Sequence, residues 1–281
     1  MVPLLMAASD PFSDPLLADL REAYLEEDLL LFAGAGVSTA AGLPSRKRLV
    51  ELLADRATGR GVAAQTLHAI TDLVAGEQLL DALAAVKAAL GPDDFGAAVE
   101  ALLDDKGHDA PAVAQAIASL APRLRGVLTT NLDHLLEKAF SGAWPALAKV
   151  TGDVVRRRHY ILRLHGTLLD RATWVFTRDD YDRAMYADPK LQTAFYALFH
   201  SCPILLVGYG LADDDFDQVL SRVRVFAGEQ PPRHFALVAE ETITPHRRSR
   251  LEESGVQLIP YANPDGKHSE VVRILDWLAG S

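Results

Sequence analysis

The chain has 281 residues, 49% of them hydrophobic and 23% charged, with a formal net charge of −10. A chain of that length buries roughly three quarters of the surface its unfolded state exposes, so a substantial core is expected and extensive disorder is not. The acidic balance repels phosphate backbones and argues against direct nucleic-acid binding. A single cysteine, Cys202, excludes an intramolecular disulfide and a multi-cysteine zinc site.

Met1 to Ala8 is apolar but lacks a basic region ahead of it, which does not fit a signal peptide. No apolar stretch reaches the roughly 20 residues that span a bilayer. A cytoplasmic location and no membrane association are expected.

In chain order, Leu16, Leu20, Ala23 and Tyr24 recur at helical spacing and predict a helix from Pro15 to Glu27. Leu29 to Ala33 is a continuous apolar run, the pattern of a parallel strand covered on both faces. It ends in Gly34-Ala35-Gly36-Val37-Ser38. From Leu49 to Leu120 the apolar spacing is helical throughout, interrupted at Gly91-Pro92-Asp93 and at Gly107 to Pro111. This segment, about 46–122, is read as an all-helical insertion between the first and second core strands.

Strand and helix then alternate. Strands are expected at Gly126–Thr129, Tyr160–Leu164, Thr173–Phe176, Pro203–Val207, Phe235–Ala239 and Val256–Pro260. Helices are expected at Leu132–Phe140, from Arg178, at about Asp214–Ala227, at Pro245–Glu253, and in a last element ending near Leu278. The alternation predicts an α/β, Rossmann-like, doubly wound parallel sheet in a single domain over 1–281. Arg156-Arg157-Arg158 reads as an exposed loop or helix end, and Cys202 as a buried structural thiol.

Ligands of such sheets bind beyond the carboxyl ends of the strands, so the residues that follow each strand carry the chemistry. Gly34 and Gly36 allow close backbone approach, and Ser38 can cap a helix or meet a ligand oxygen. The third glycine of a dehydrogenase fingerprint is absent, since Thr39 stands there, as is the acidic strand end about twenty residues on. No Gly-x4-Gly-Lys-Ser/Thr occurs, which excludes a P-loop. Asn131 and Asp133 follow the second strand and have an ordinary explanation as helix cap and first-turn acid. His165, at a strand end beside Gly166, suits general-base work at neutral pH. Gly208 and Gly210 flank Tyr209, and Asp213, Asp214 and Asp215 follow as helix cap or as acceptors for ribose hydroxyls.

Each segment alone has a structural explanation, but their order is specific. Gly34-Ala35-Gly36-Val37-Ser38 with Ala41-Gly42-Leu43-Pro44, then Thr130-Asn131-Leu132-Asp133, then His165-Gly166, then Gly208-Tyr209-Gly210-Leu211 resembles the sirtuin family. The likeness lies nearest its zinc-less bacterial branch of anti-phage defence NAD⁺ hydrolases. The resemblance implies NAD⁺ as substrate, with no metal, and cleavage of the nicotinamide–ribose bond to nicotinamide and ADP-ribose.

Residue by residue, it implies that Gly34, Ala35, Gly36 and Ser38 meet the NAD⁺ phosphates and ribose, and that Gly208 and Gly210 lie at the adenosine side. Asn131 would position the ribose and a water, His165 would accept a proton, and Asp133 would support the nicotinamide pocket. The zinc module is missing, and Pro44 is followed by Ser45-Arg46-Lys47 in place of the family's Asp-Phe-Arg, so the resemblance assigns no particular role to Ser45 or Arg46 and leaves that part of the nicotinamide pocket open. The resemblance further implies a homo-oligomer and a separately encoded regulator such as a HerA-like ATPase or a short Argonaute. A non-catalytic NAD or ADP-ribose sensor and an NAD-dependent protein deacylase are the competing readings.

Overall fold

The structure is a computed structural model that describes residues 15–148, 153–186, 189–209 and 233–280. Seven strands form one sheet with every pairing parallel: β1 (Leu30–Ala33), β2 (Gly126–Thr129), β3 (Ala146–Leu147), β4 (Ile161–Arg163), β5 (Ile204–Val207), β6 (His234–Ala239) and β7 (Val256–Tyr261). The order across the sheet is β3-β4-β2-β1-β5-β6-β7. From β1 the chain adds β2, then the edge strand β3, returns with β4 between those two, and crosses to the other side of β1 for β5, β6 and β7. The order therefore reverses at β1, where crevices open in doubly wound sheets.

Strand periodicity explains the layers. In β1, Leu31 and Ala33 join one core with Leu17, Leu20 and Tyr24 of α1 (Pro15–Leu25). Leu30 and Phe32 point the other way, into a second core with Leu198 and Phe199. Alternate side chains of a strand face opposite sides of a sheet, so a continuously apolar strand requires cover on both. α7 (Ala112–Ser119) and α12 (Ser269–Ala279) supply one cover. α10 (Pro189–Ser201) and α11 (Pro245–Glu253) supply the other.

Between β1 and β2 the chain is helical: α2 (Ala35–Thr39), α3 (Arg46–Gly59), α4 (Ala64–Ala75), α5 (Leu79–Leu90), α6 (Pro92–Leu102) and then α7. α3 to α6 make a third core around Leu53, Ile70, Leu83 and Phe95, which takes in Leu132 and Phe176 from the edge of the sheet. Burial of each large side chain contributes roughly 1.5–3 kcal/mol. That contact seats the helices against the loops that follow β2 and β4.

The expected elements differ from those observed in three places. The helix expected over 132–140 is α8 (Leu135–Ala139), because residues 131–134 are held in a loop by side-chain bonds described below. Residues 173–176 are not a strand. A 3₁₀ turn spans Arg171–Thr173, and the chain folds back on itself with Trp174 Nε1 donating to the Thr167 carbonyl, so no neighbouring strand pairs with it. β3 and α10 carried no clear periodic signal. The helix expected at Asp214–Ala227 lies outside the described residues. So do Gly210 and Asp213 to Asp215.

Cys202 is fully buried in the second core. Arg157 pairs with Asp153 and Arg158 with Asp28, on an exposed surface at the other end of the sheet. Among the described residues, no helix is long and apolar enough to cross a membrane.

Candidate active site

The loops after β1, β2 and β4 surround one cleft at the carboxyl end of the sheet. Ala35, Ser38, Asn131, Asp133 and His165 line it together with Thr130. The apolar wall opposite comes from the helices and from the segment after His165: Leu49, Leu83, Leu103, Val175 and Phe176. Arg46 also reaches the rim. An apolar pocket with a few converging polar groups is the usual form of a small-molecule site.

Each polar residue is fixed by the fold. Thr129, the last residue of β2, donates its hydroxyl to the Ala33 carbonyl at 2.9 Å and accepts the Asn131 N–H at 3.1 Å. Asn131 then turns its side chain back toward β1, where Nδ2 donates to the Gly34 carbonyl at 2.9 Å. A carbonyl can only accept, so this bond orients the amide and leaves Oδ1 as the acceptor of the pair. Asn131 therefore does not cap α8. His134 holds the N-cap position without a side-chain cap bond, and just ahead of it the Asp133 Oδ1 accepts the Leu135 N–H at 3.1 Å.

The other oxygen of Asp133 accepts the Ser38 hydroxyl at 2.5 Å, joining the loops after β1 and β2. Ser38, Asn131, Asp133 and His165 are all buried. Burial raises the Asp133 carboxyl above the usual range, against the opposing pull of the Ser38 hydroxyl, the Leu135 N–H and the Arg163 guanidinium.

The glycines are also required by backbone packing. A Cβ on Gly36 would lie 2.7 Å from Gly208 Cα, and one on Gly34 would lie 2.7 Å from the Gly208 carbonyl. The Gly36 N–H donates to that same carbonyl at 2.7 Å. Gly208 itself has φ +71 and faces the Val37 N–H. Gly34, Gly36 and Gly208 thus let the loops after β1 and β5 touch backbone to backbone, beneath the cleft rather than on its lining. Gly166 is as constrained: φ is +87, and a Cβ would fall 2.2 Å from the Thr173 carbonyl. The glycine is required so that 167–176 can fold back beside His165 and deliver Val175 and Phe176 to the wall.

Residues that sequence reasoning passed over complete the frame. Asp105, in the loop after α6, accepts the His134 main-chain N–H and its Nδ1 (3.0 Å), while His134 Nε2 meets Thr167 Oγ1 at 2.9 Å. Burial raises the Asp105 carboxyl, but the His134 and Lys138 donors outweigh it and hold the group below its usual range. His108 bonds the Ala41 carbonyl at 2.7 Å. Arg163, buried on β4, reaches the Asn131–Asp133 loop. A charged residue inside the apolar run Ile161–Leu164 was the one legible sign of it. Among the described residues, no group of three or more His, Cys, Asp or Glu is arranged to hold a metal.

A seven-stranded parallel sheet with a polar cleft at its topological switch point, lined by Asn131, Asp133 and His165, is the architecture of a Rossmann-like α/β protein. Residues 125–259 match the family described as SIR2-like domain. The fold resembles a solved structure reported for the mechanism and regulation of Sir2 enzymes. That likeness has TM-score 0.52 at 14% identity and covers 95% of this chain and 98% of that one.

In sequence the chain is similar to the NAD(+) hydrolase ThsA of Bacillus cereus (strain MSX-D12), 25% identical over 243 residues. That match covers 84% of this chain and 48% of the relative. It is also 27% identical over 241 residues to ThsA of Enterococcus faecium, covering 79% and 45%. The chain spans about half the length of the curated relatives it matches.

Proposed function

We propose that the chain hydrolyses NAD⁺ to nicotinamide and ADP-ribose, as a zinc-less sirtuin-like NAD⁺ glycohydrolase. The observation that carries this reading is the convergence of Asn131, Asp133, His165 and Ser38, from three separate strand ends, on one cleft with an apolar wall. The relatives named NAD(+) hydrolase support the substrate.

Nicotinamide leaves NAD⁺ as a neutral molecule from a cationic linkage, so no acid is needed to expel it. The protein's task is to orient the ribose, stabilise the cationic character that develops on it, and present a water. Asn131, its amide turned by Gly34, offers Oδ1 to a ribose hydroxyl or to the attacking water. His165 accepts the proton that water or hydroxyl gives up. Asp133 supports the nicotinamide end of the pocket. Ala35 and Ser38 meet the ribose and phosphate side, while Gly34, Gly36 and Gly208 let the β1 and β5 loops approach closely enough to form that side. Gly210, which lies outside the described residues, is assigned to the adenosine side on the sirtuin resemblance alone.

An unrestrained NAD⁺ hydrolase would exhaust its own cell. The reading therefore extends to an effector of bacterial anti-phage defence that acts in the cytoplasm as a homo-oligomer, controlled by a separately encoded partner such as a HerA-like ATPase or a short Argonaute. The helices of 46–122 are proposed as an insertion in one sirtuin-like unit that closes the cleft.

The test is nicotinamide release from NAD⁺ by the purified protein, beside His165→Ala and Asn131→Ala variants shown to be folded. Loss of a positioned general base costs about 10²–10⁴-fold in rate, and His165→Ala should lose that much. Asn131→Ala should lose a comparable factor. Release that survives both substitutions would refute these roles. Tight NAD⁺ binding with no release in any condition would instead favour a sensor.

A further inference from the structure

We infer that Arg163 is the positioning residue that sets the distance between the Asn131 loop and His165, an inference that rests on the hydrolase reading above. Arg163 ends β4, two residues before His165, and its side chain is only 2% exposed. One carboxylate balances the charge of this buried guanidinium: Glu137 Oε1 takes its Nε at 2.7 Å and a second N–H besides, which leaves three of its five donors to be placed. Two of these go elsewhere: Nη1 to the Asn131 carbonyl at 2.9 Å, and Nη2 to the Asp133 carbonyl at 2.7 Å.

These two carbonyls flank Leu132, whose own carbonyl accepts the Leu168 N–H at 2.9 Å. Three consecutive carbonyls of the site loop are thus held from the β4 side, two of them by one rigid fork. The same loop is held from the β1 side through side chains, Asn131 to Gly34 and Asp133 to Ser38. At the ladder level, Thr129 stands opposite Arg163, and the Leu164 N–H donates to the Thr129 carbonyl at 2.8 Å.

Arg163 therefore continues the β2–β4 pairing past the end of the strands, to where Asn131 and His165 face one cleft. Four of the guanidinium's donors, fixed in one plane, do this: two on Glu137 and one on each carbonyl. A lysine is a single point charge that keeps the Glu137 pair but not both carbonyls.

Two variants test the inference. Arg163→Lys retains the buried charge pair. Arg163→Met with Glu137→Met removes the pair together, which avoids stranding a buried charge. In both, KM for NAD⁺ stays near the wild-type value. kcat falls about tenfold for Arg163→Lys and about a hundredfold for the double variant, the cost of an ångström-scale misplacement. A folded variant with wild-type kcat, or one changed only in KM, overturns the inference. Should the double variant fail to fold, Arg163→Lys carries the test alone.

If the wild-type protein releases no nicotinamide in any condition, the hydrolase reading fails, and the positioning role is still read by amide hydrogen exchange. Faster exchange confined to Asn131, His134 and Leu135 in Arg163→Lys supports it. Unchanged exchange there, or an increase spread across the whole molecule, refutes it.

Discussion

Ser38 and Asp133 show what a single buried bond does to chemistry. The carboxylate has one oxygen on the Ser38 hydroxyl and the other on the Leu135 N–H, and both bonds favour its charged form. Burial opposes them and prevails, so the group protonates at a higher pH than a free aspartate. Stability contributed by this group is present at low pH and falls as pH rises from the unfolded value toward the raised one. Activity that needs the carboxylate runs the opposite way, declining on acidification above the usual carboxylate range. Ser38→Ala removes one of the bonds that oppose burial. The acid limb of its kcat/KM profile should therefore move to higher pH than in wild type, and an unmoved limb would dissociate Asp133 from the rate. The need for glycine at 34, 36 and 208 was legible in the sequence. That the backbone pressed against Gly36 would be Gly208 was not, because the two lie on different loops.

Among the elements, the segment after Gly166 departs furthest from its local pattern. Trp174, Val175 and Phe176 have strand propensity, yet they form the irregular return of a loop. Thr177 and Asp180 stop that return and start α9 (Arg178–Tyr186) by reciprocal bonds: Asp180 Oδ2 accepts the Phe176 and Thr177 N–H groups, and the Asp180 N–H donates to Thr177 Oγ1. Lys87 of α5 then binds both Asp180 oxygens, at 3.0 and 2.9 Å, and ties the helices to this wall of the cleft. Burial raises the Asp180 carboxyl, but Lys87 and Thr177 more than offset it, so its contribution to stability is lost only below the usual carboxylate range. Asp180→Ala leaves two buried amides without an acceptor. It should lower unfolding free energy by about 1–3 kcal/mol, read from urea midpoints at neutral pH. A midpoint equal to wild type would show that the cap is dispensable.

For the molecule as a whole, three cores meet at the sheet, and one buried histidine reports on the assembled state. His234 of β6 lies in the second core against Phe199, and neither of its ring nitrogens has a hydrogen-bond partner. Burial, and then the neighbouring His200, lower its pKa to about 4. The unfolded chain takes up this proton near pH 6.5. The fold is thus at full stability above that value and loses it as pH falls from about 6.5 toward 4. Near 1.4 kcal/mol per unit, the loss is on the order of 3 kcal/mol. His234→Leu should remove that part of the acid slope, so its urea midpoints at pH 7 and pH 4.5 should differ less than those of wild type. An equal difference would place the acid sensitivity elsewhere.

What could be read along the chain was whatever depends on neighbours within a turn or two. Apolar runs such as Leu29–Ala33 and Pro203–Val207 identify covered strands, and the sets Leu49, Leu52 and Leu53 and Leu79, Leu80, Leu83 and Val86 identify helices. The alternation of the two implies a parallel sheet, and the ordered loop residues point to one site at its edge. Left to the tertiary structure was every pairing made across distance: Asn131 with Gly34, Ser38 with Asp133, and Arg163 with two carbonyls some thirty residues earlier. Short-range periodicity records which face of an element is covered, but not by what. A hydrogen bond between residues almost a hundred apart leaves no periodic trace, and it forms only when the whole sheet has brought their loops together.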